Sequence, residues 1–576
     1  MPLLRFFVPV AAAVAAVVSL TIVVKAWQAP AAQRNLNQID YAMYFMSEVR
    51  DAAGCAMTAG ANGAIQIAAG ITNPALTCPD MFAWKLFAQV VREQFWVAWA
   101  EEQQNWPPQP YALCAAGQDP GAVHCCRPGA SNNDAAHCPS FPGAAAVASA
   151  EQTNQALRRL HGAISPHLFG PQDEAAERRA LQAVLESLGQ PAASPATARR
   201  ACSTLPLPDD PASMGRVFRQ TNGEITVRNQ PFHDYVFQQN LYNAGGVIDV
   251  FTRAAQSIYR DAPYRRADQP AGPSSPAVLS RIDFPPTAIM IKSNWLNKDL
   301  LAAIGAKYGW RWDDPQNGYI QKEMVQTVKD EQGNEYNCDG THYLLAFHIS
   351  SKDIPQWTWS TFEHVSLPGR CDYTGCNDSF GHFSSDTDLP EGSARNYVRP
   401  KTMGDGMPAG AANQVFLRDR VYAAGTIRPL LATVLRTLGI GTGGPVGRDP
   451  EPADAAWLSY RLKGTQTDFT DLTGHPTFLG HSVTEAGFVN GSSCISCHAR
   501  AGTDAQGPFH LDTSAAGHST FPLSVFLNTL GDFGYGRSPS GVPNPAWFNQ
   551  SNQPPTLQVL QTDFVWGFLF ARPIVR

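Results

Sequence analysis

Five consecutive residues, Cys494-Ile495-Ser496-Cys497-His498, constrain this chain more than any other stretch of it. Two thiols separated by two residues and followed at once by an imidazole form the pattern through which haem is attached covalently. The order follows from the chemistry. Each sulfur adds across one vinyl group of the porphyrin, and two intervening residues let both sulfurs reach neighbouring vinyls. The adjacent histidine then presents a ring nitrogen to iron. Ser493 is placed to cap a helical turn through the motif, and Ala499, Ala501 and Gly502 are small enough to lie against a flat ring. Other readings of a Cys-x-x-Cys pair need partners that the sequence lacks. A structural zinc site needs a second such pair or paired histidines, and no second Cys-x-x-Cys is present. A redox dithiol of the thioredoxin kind needs a helix N-terminus after a strand, and the approach Asn490-Gly491-Ser492-Ser493 does not read as one. The motif therefore reads as one haem c, with His498 as proximal iron ligand.

The opposite face of the iron is less constrained. No methionine follows Cys497, so the downstream methionine ligand of small cytochromes c does not apply. His364 stands first among the alternatives, because it closes the run Trp357-Thr358-Trp359-Ser360-Thr361-Phe362-Glu363-His364, whose aromatic side chains are of the kind that line a haem pocket. Met407, His348 and His518 follow, with Met403 and His510 weighed beside them. An open sixth position is an equal expectation, and Arg500 or His364 would then serve as the distal acid–base group.

The remaining ten cysteines, Cys55, Cys78, Cys114, Cys125, Cys126, Cys138, Cys202, Cys338, Cys371 and Cys376, are even in number and allow five disulfides. Disulfides persist in oxidising compartments, and the local pairs Cys55–Cys78 and Cys371–Cys376 are the expected ones. His124 and His137 beside Cys125, Cys126 and Cys138 could bind a metal, but spare cysteines in an exported chain favour disulfides there. Export is read from the N-terminus, where Phe6 to Val24 carries no charge and is bracketed by Arg5 and Lys25. About 18 apolar residues span a bilayer. The expectation is an uncleaved anchor with everything after Lys25 on the periplasmic side of the inner membrane, or a free periplasmic protein if the stretch is cleaved near Ala29–Ala32. A net charge of −6 offers nothing to a phosphate backbone, so nucleic acid is not an expected partner.

Periodicity places helices over Gln33–Arg50 and, more strongly, over Met81–Glu102, ended by Trp106-Pro107-Pro108. A Cys-, Gly- and Asn-rich stretch follows from Tyr111 to Pro142, and Ala145–Leu188 returns to helical composition. Ala288–Lys292 and Tyr343–Ile349 are short apolar runs that read as buried strands, with Glu224–Val227 weaker, and a helix is expected at about Val415–Leu438. Gly439–Gly447 reads as a linker. The expected class is α+β: a mostly helical N-terminal part, a small central β-sheet and a C-terminal haem-binding segment of cytochrome c type. The corresponding divisions are 1–30, 31–220, 221–470 and 471–576.

At Cys494–His498 the chain resembles the cytochrome c superfamily. With the Trp357–His364 segment, the Tyr343–Ile349 strand and the run Cys-Ile-Ser-Cys-His-Ala-Arg-Ala, it is similar to large single-haem c-type proteins exported by proteobacteria. The resemblance implies covalent haem, a periplasmic location and redox activity, and supplies no substrate. Electron transfer to or from a redox partner protein in the periplasm or inner membrane is the first expectation. The alternative is a peroxidase- or oxygenase-like haem enzyme with an open iron position, since a carrier needs a far smaller scaffold. A haem-based sensor ranks third, because no signalling segment follows the motif.

Overall fold

Gly340–Ser351 supplies a twelve-residue strand that is buried along nearly its whole length, and the rest of the molecule is arranged about it. In the computed structural model the residues described are 51–144, 200–209, 214–257, 280–371, 375–383, 425–443, 449–470, 477–486, 492–507 and 556–575, less positions 61, 313, 315 and 331, together with 146, 397–398, 543, 545 and 548–550. The central sheet contains β1 (Ala100–Glu101), β2 (Gly223–Arg228), β3 (Ile289–Asn297), β4 (Gln321–Met324), β5 (Gly340–Ser351), β6 (Thr358–His364) and β7 (Tyr460–Gln466). Their spatial order is β7-β6-β5-β3-β2-β1, with β4 pairing beside the start of β5. Every pair is antiparallel.

Side chains alternate between the two faces of a strand, and here the faces differ in kind. One face is apolar. Ile289, Ile291 and Trp295 of β3, Phe347 and Ile349 of β5 and Phe362 of β6 join one core cluster with helix α1 (Pro79–Arg92). Trp84 of α1 meets the Phe362 ring at 5.1 Å between centroids. The other face carries Lys292 and Asn294 of β3, His348 of β5, and Trp359, Thr361 and Glu363 of β6. Over part of it lie residues 477–486 and 492–503 and the C-terminal residues near Phe564; Ile495, Ala499 and Phe564 share an aromatic cluster with α2 (Gln230–Gln238) and α3 (Ala244–Ser257). Helix α4 (Lys298–Tyr308) continues from β3 through an Asn297 cap whose side chain accepts from Asp299 and Leu300 N–H. Helix α5 (Pro429–Thr437) begins with proline at its first turn.

Two expectations about architecture are corrected. The described N-terminal residues are not mostly helical, and the sheet is neither small nor confined to the middle of the chain: its seven strands run from Ala100 to Gln466. The α+β class stands. The reason is local at Met81–Glu102. The helix stops at Arg92, Gln94 takes a left-handed φ of 50°, Phe95–Ala98 forms a separate turn, and Ala100–Glu101 joins the sheet edge. Phe95, Trp96 and Trp99 bury against the sheet in this broken path, which apolar spacing alone does not distinguish from a continuous helix. Glu224–Val227 and Tyr343–Ile349 fall within β2 and β5, Ala288–Lys292 lies in β3 but for its first residue, and α5 occupies the later part of the helix expected at about Val415–Leu438, whose residues 415–424 lie outside the described ones. Gln33–Arg50 and nearly all of Ala145–Leu188 lie outside the described residues.

Five disulfides tie the chain: Cys55–Cys78, Cys114–Cys125, Cys126–Cys138, Cys202–Cys338 and Cys371–Cys376. Both expected local pairs are among them, and the thiols beside His124 and His137 are consumed as disulfides. Bonds of this number belong to a chain that folds outside the reducing cytoplasm. No helix among the described residues is long and apolar enough to cross a membrane; Phe6–Val24 lies outside them.

Candidate functional site

Cys494 and Cys497 are the two cysteines that form no disulfide. They lie on the short helix α6 (Cys494–His498), where positions i, i+3 and i+4 share a face. Cys494, Cys497 and His498 are thus gathered on one half-buried side, while Ile495 and Ala499 are fully buried on the other, within the aromatic cluster. The helix start is clamped. Ser493 caps it, its Oγ accepting from Ser496 N–H. Gln466 at the end of β7 accepts from Ile495 N–H at 3.0 Å and donates to Ser493 Oγ at 2.9 Å and to the Thr477 carbonyl at 2.9 Å.

His498 Nδ1 stands 2.8 Å from the Phe564 carbonyl oxygen. A carbonyl only accepts, so Nδ1 carries the proton and Nε2 keeps its lone pair. The Trp359 ring lies against the imidazole, with centroids 4.3 Å apart. Burial pushes the His498 pKa down to about 3, against the opposing pull of the Phe564 bond, so the ring is neutral at ordinary pH. The carbonyl is aimed by two consecutive residues in the left-handed region, Asp563 at φ 48° and Phe564 at φ 66°. Each such non-glycine residue costs on the order of 1 kcal/mol or more, and the turn is held by its surroundings. Asp563 accepts from Lys352 Nζ at 2.6 Å, Trp357 Nε1 at 3.3 Å and Phe284 N–H at 2.7 Å.

The Cys494 thiol is not set up as a thiolate. Burial, with Glu485 and Cys497 adding to it, raises the Cys494 pKa well above the ordinary thiol value. A zinc ligand or a redox nucleophile needs the opposite shift, whereas a neutral thioether suits this environment. The chemistry of the donor set therefore fits haem: two sulfurs outside any disulfide and one imidazole nitrogen on one partly open face, with the second ring nitrogen fixed by a carbonyl.

Beside α6, the polar face of the sheet carries a buried charged layer. Lys463 Nζ is 3.1 Å from Glu363 Oε1, and Ser482 Oγ donates to the second oxygen of the same carboxylate. Lys292 Nζ is 2.9 Å from Glu224. His348 Nδ1 is 2.9 Å from Thr361 Oγ1, its neighbour across the β5–β6 ladder. His348 Nε2 lies 3.4 Å from Glu485 Oε2 without making a hydrogen bond. The His481 ring stacks on that of His348 at 4.2 Å and 15°.

By residue type, His348, His481 and Glu485 are a two-histidine, one-carboxylate set, with ligand atoms within 4.8 Å of one another. Their geometry argues against a metal. An ion lies in the plane of each imidazole that binds it, and two nearly parallel stacked rings offer no common point. His481 Nδ1 also accepts the N–H groups of Val483 and Thr484, both at 3.1 Å, which puts the ring proton on Nε2.

The pleat of β6 sends His364 to the face opposite Trp359 and Thr361. His364 Nε2 donates to the Gly318 carbonyl at 2.9 Å, Nδ1 accepts from Ser366 N–H at 3.2 Å, and the ring stacks on Tyr319 at 3.6 Å. Both nitrogens are engaged, so the structure does not bring this residue to His498 as a distal ligand or acid–base group. Arg500 is fully buried. His348, ranked lower in sequence, is on the same face as the motif. Met403, Met407, His510 and His518 lie outside the described residues. His481 and Glu485 carried no motif; only their four-residue spacing before the Cys-x-x-Cys-His run hinted at a joint role. Comparison with family models, with curated proteins and with solved structures finds no match for this chain.

Proposed function

We propose that this chain is an exported c-type cytochrome of a single haem, joined to Cys494 and Cys497 with its iron bound by His498, and that it transfers electrons. One observation carries the reading: the two cysteines spared by five disulfides share a helix face with an imidazole whose Nδ1–H is committed to a carbonyl. When bound, the haem supplies a one-electron redox centre. The protein's part is to hold the ligand. The Phe564 carbonyl selects the tautomer, orients the ring and raises the basicity of Nε2. Trp359 restrains the ring, and Gln466 fixes the helix that bears all three groups. The disulfides and the apolar Phe6–Val24 stretch support a location on the periplasmic side of the inner membrane, with a redox protein as partner.

A second reading, a peroxidase- or oxygenase-like enzyme, is favoured by the imidazole–carboxylate cluster beside the motif, since acid–base groups at hand are what such chemistry requires.

Expression in a host that matures c-type cytochromes tests the first claim. The denatured polypeptide should keep its pigment through acid–acetone extraction and give the pyridine haemochrome spectrum of two thioether links, and Cys494→Ala with Cys497→Ala should lose it. Colourless denatured protein would refute the assignment. Carbon monoxide separates the two activities: unchanged spectra of the reduced protein support a six-coordinate carrier, and a shifted Soret band supports the enzyme.

A further inference from the structure

Cys371 and Cys376 form a disulfide with a cation against both of its sulfurs. Arg370 Nη1 lies 3.2 Å from Cys371 Sγ and 3.4 Å from Cys376 Sγ, and a guanidinium keeps its charge at any ordinary pH. Arg370 and both cysteines are buried. The sulfurs of a disulfide are neutral and weak acceptors, so the oxidised pair draws little from this contact. A thiolate in either place would accept a charge-assisted hydrogen bond, and burial strengthens that bond because the surroundings screen it poorly. The contact thus favours the reduced pair over the oxidised one. Cys55, Cys126 and Cys138, in two other disulfides, have the opposite surroundings. Cys55 Sγ lies 3.7 Å from the Thr77 carbonyl oxygen, Cys126 Sγ 3.6 Å from that of His137 and 3.8 Å from that of Tyr111, and Cys138 Sγ 3.8 Å from that of Cys125. Carbonyl oxygens disfavour a negative sulfur. Cys376 has one such neighbour, the Arg370 carbonyl at 3.7 Å, weighed against a full positive charge that is closer. The Cys371–Cys376 loop is also short, with a separation of 5 residues, so little of the fold's stability depends on keeping it closed.

We propose that Cys371–Cys376 is a redox-active disulfide, reduced reversibly by a dithiol of the compartment to which the chain is exported, with Arg370 as the residue that makes it oxidising. The inference does not depend on haem. One thiolate of the dithiol attacks Cys376 Sγ. The Cys371–Cys376 bond breaks, and its electron pair leaves on Cys371 Sγ, the sulfur nearer Arg370 and so the better leaving group. The second thiolate of the dithiol then attacks its own partner sulfur in the mixed disulfide and releases Cys376. The dithiol ends as a disulfide. Two electrons have passed to the chain, with one proton to Cys376 and the other to solvent while Arg370 holds Cys371 as thiolate. Burial slows the attack without altering which form the guanidinium favours.

The test equilibrates the full chain in glutathione and then dithiothreitol redox buffers of falling potential, approached from both directions. Free thiols are alkylated and each cysteine peptide is read by mass spectrometry. Cys371 and Cys376 should open at the least negative potential of the five pairs, while the other four stay closed. Arg370→Gln should make the pair about tenfold harder to reduce, a potential about 30 mV lower for two electrons. Arg370→Lys, which keeps the charge, should fall between the two. If Arg370→Gln fails to accumulate, the Lys variant and the order of opening in the parent carry the test. A pair that opens together with the others or after them, or an Arg370→Gln equilibrium equal to the parent's, would overturn the proposal.

Discussion

His348 and His364 carry the same side chain on adjacent strands, and the pleat decides what each can do. His348 faces Glu485, His481 and the motif helix. His364 faces the opposite way, where burial pushes its pKa down to about 3 and two hydrogen bonds use up its ring. The aromatic run before His364 made it the more conspicuous histidine in sequence, yet those aromatics are split between both faces. Burial has a general consequence for histidines here. His233, His342, His364, His382 and His481 are all held neutral by it, with His233 shifted to about 4. The unfolded chain binds protons at these five positions below about pH 6.5 and the folded one does not, so stability falls as pH drops through that value. Burial shifts Asp51 to about 8 and Asp378 and Asp563 each to about 6, which acts in the opposite sense. Asp234 and Asp454 are raised as well and His498 is lowered. Six imidazoles still outnumber five carboxyls among the described residues, so the urea midpoint should be lower at about pH 5.0 than at about pH 6.5. A midpoint that rises on acidification would contradict this.

At the scale of elements, the motif helix is too short to hold itself together. An isolated helix below roughly 12 residues is marginal in water, and α6 has five. What fixes it is the end of β7: Gln466 ties Ile495, Ser493 and Thr477 into one network. Each bond contributes about 1 kcal/mol, and leaving buried partners unsatisfied costs more. Gln466→Ala should therefore destabilise the protein by about 2–4 kcal/mol in urea denaturation and lower the fraction isolated with haem. Gln466→Glu keeps the acceptor but not the donor, and should fall between parent and Ala. An Ala variant with the parent's midpoint would show that the clamp contributes nothing. The turn at Asp563 and Phe564 is the second external support, since its left-handed residues persist only because Lys352, Trp357 and Phe284 grip the Asp563 carboxylate.

Over the whole molecule, the sheet collects strands separated by more than 350 residues of chain, and disulfides shorten some of those loops. Cys202–Cys338 closes a separation of 136 residues and Cys371–Cys376 one of 5. Chain-entropy arguments assign about 5 kcal/mol to a loop of the first size and about 2 kcal/mol to the second. Replacing both members of the long pair with alanine should thus lower Tm more than the same change at the short pair, by calorimetry on oxidised protein. Equal losses would mean that strain or residual structure, not loop length, sets their contribution.

The motif, its order of sulfur, sulfur and imidazole, the even complement of other cysteines and three of the strands were readable from residues alone, because attachment chemistry, cysteine parity and apolar runs are local properties. Nothing local shows that Gln466 meets Ser493, that the Phe564 carbonyl takes the His498 proton, or that His348, His481 and Glu485 converge. Those meetings join residues far apart in the chain, and the register of an antiparallel sheet, with the turn that crosses its polar face, brings them within hydrogen-bonding distance.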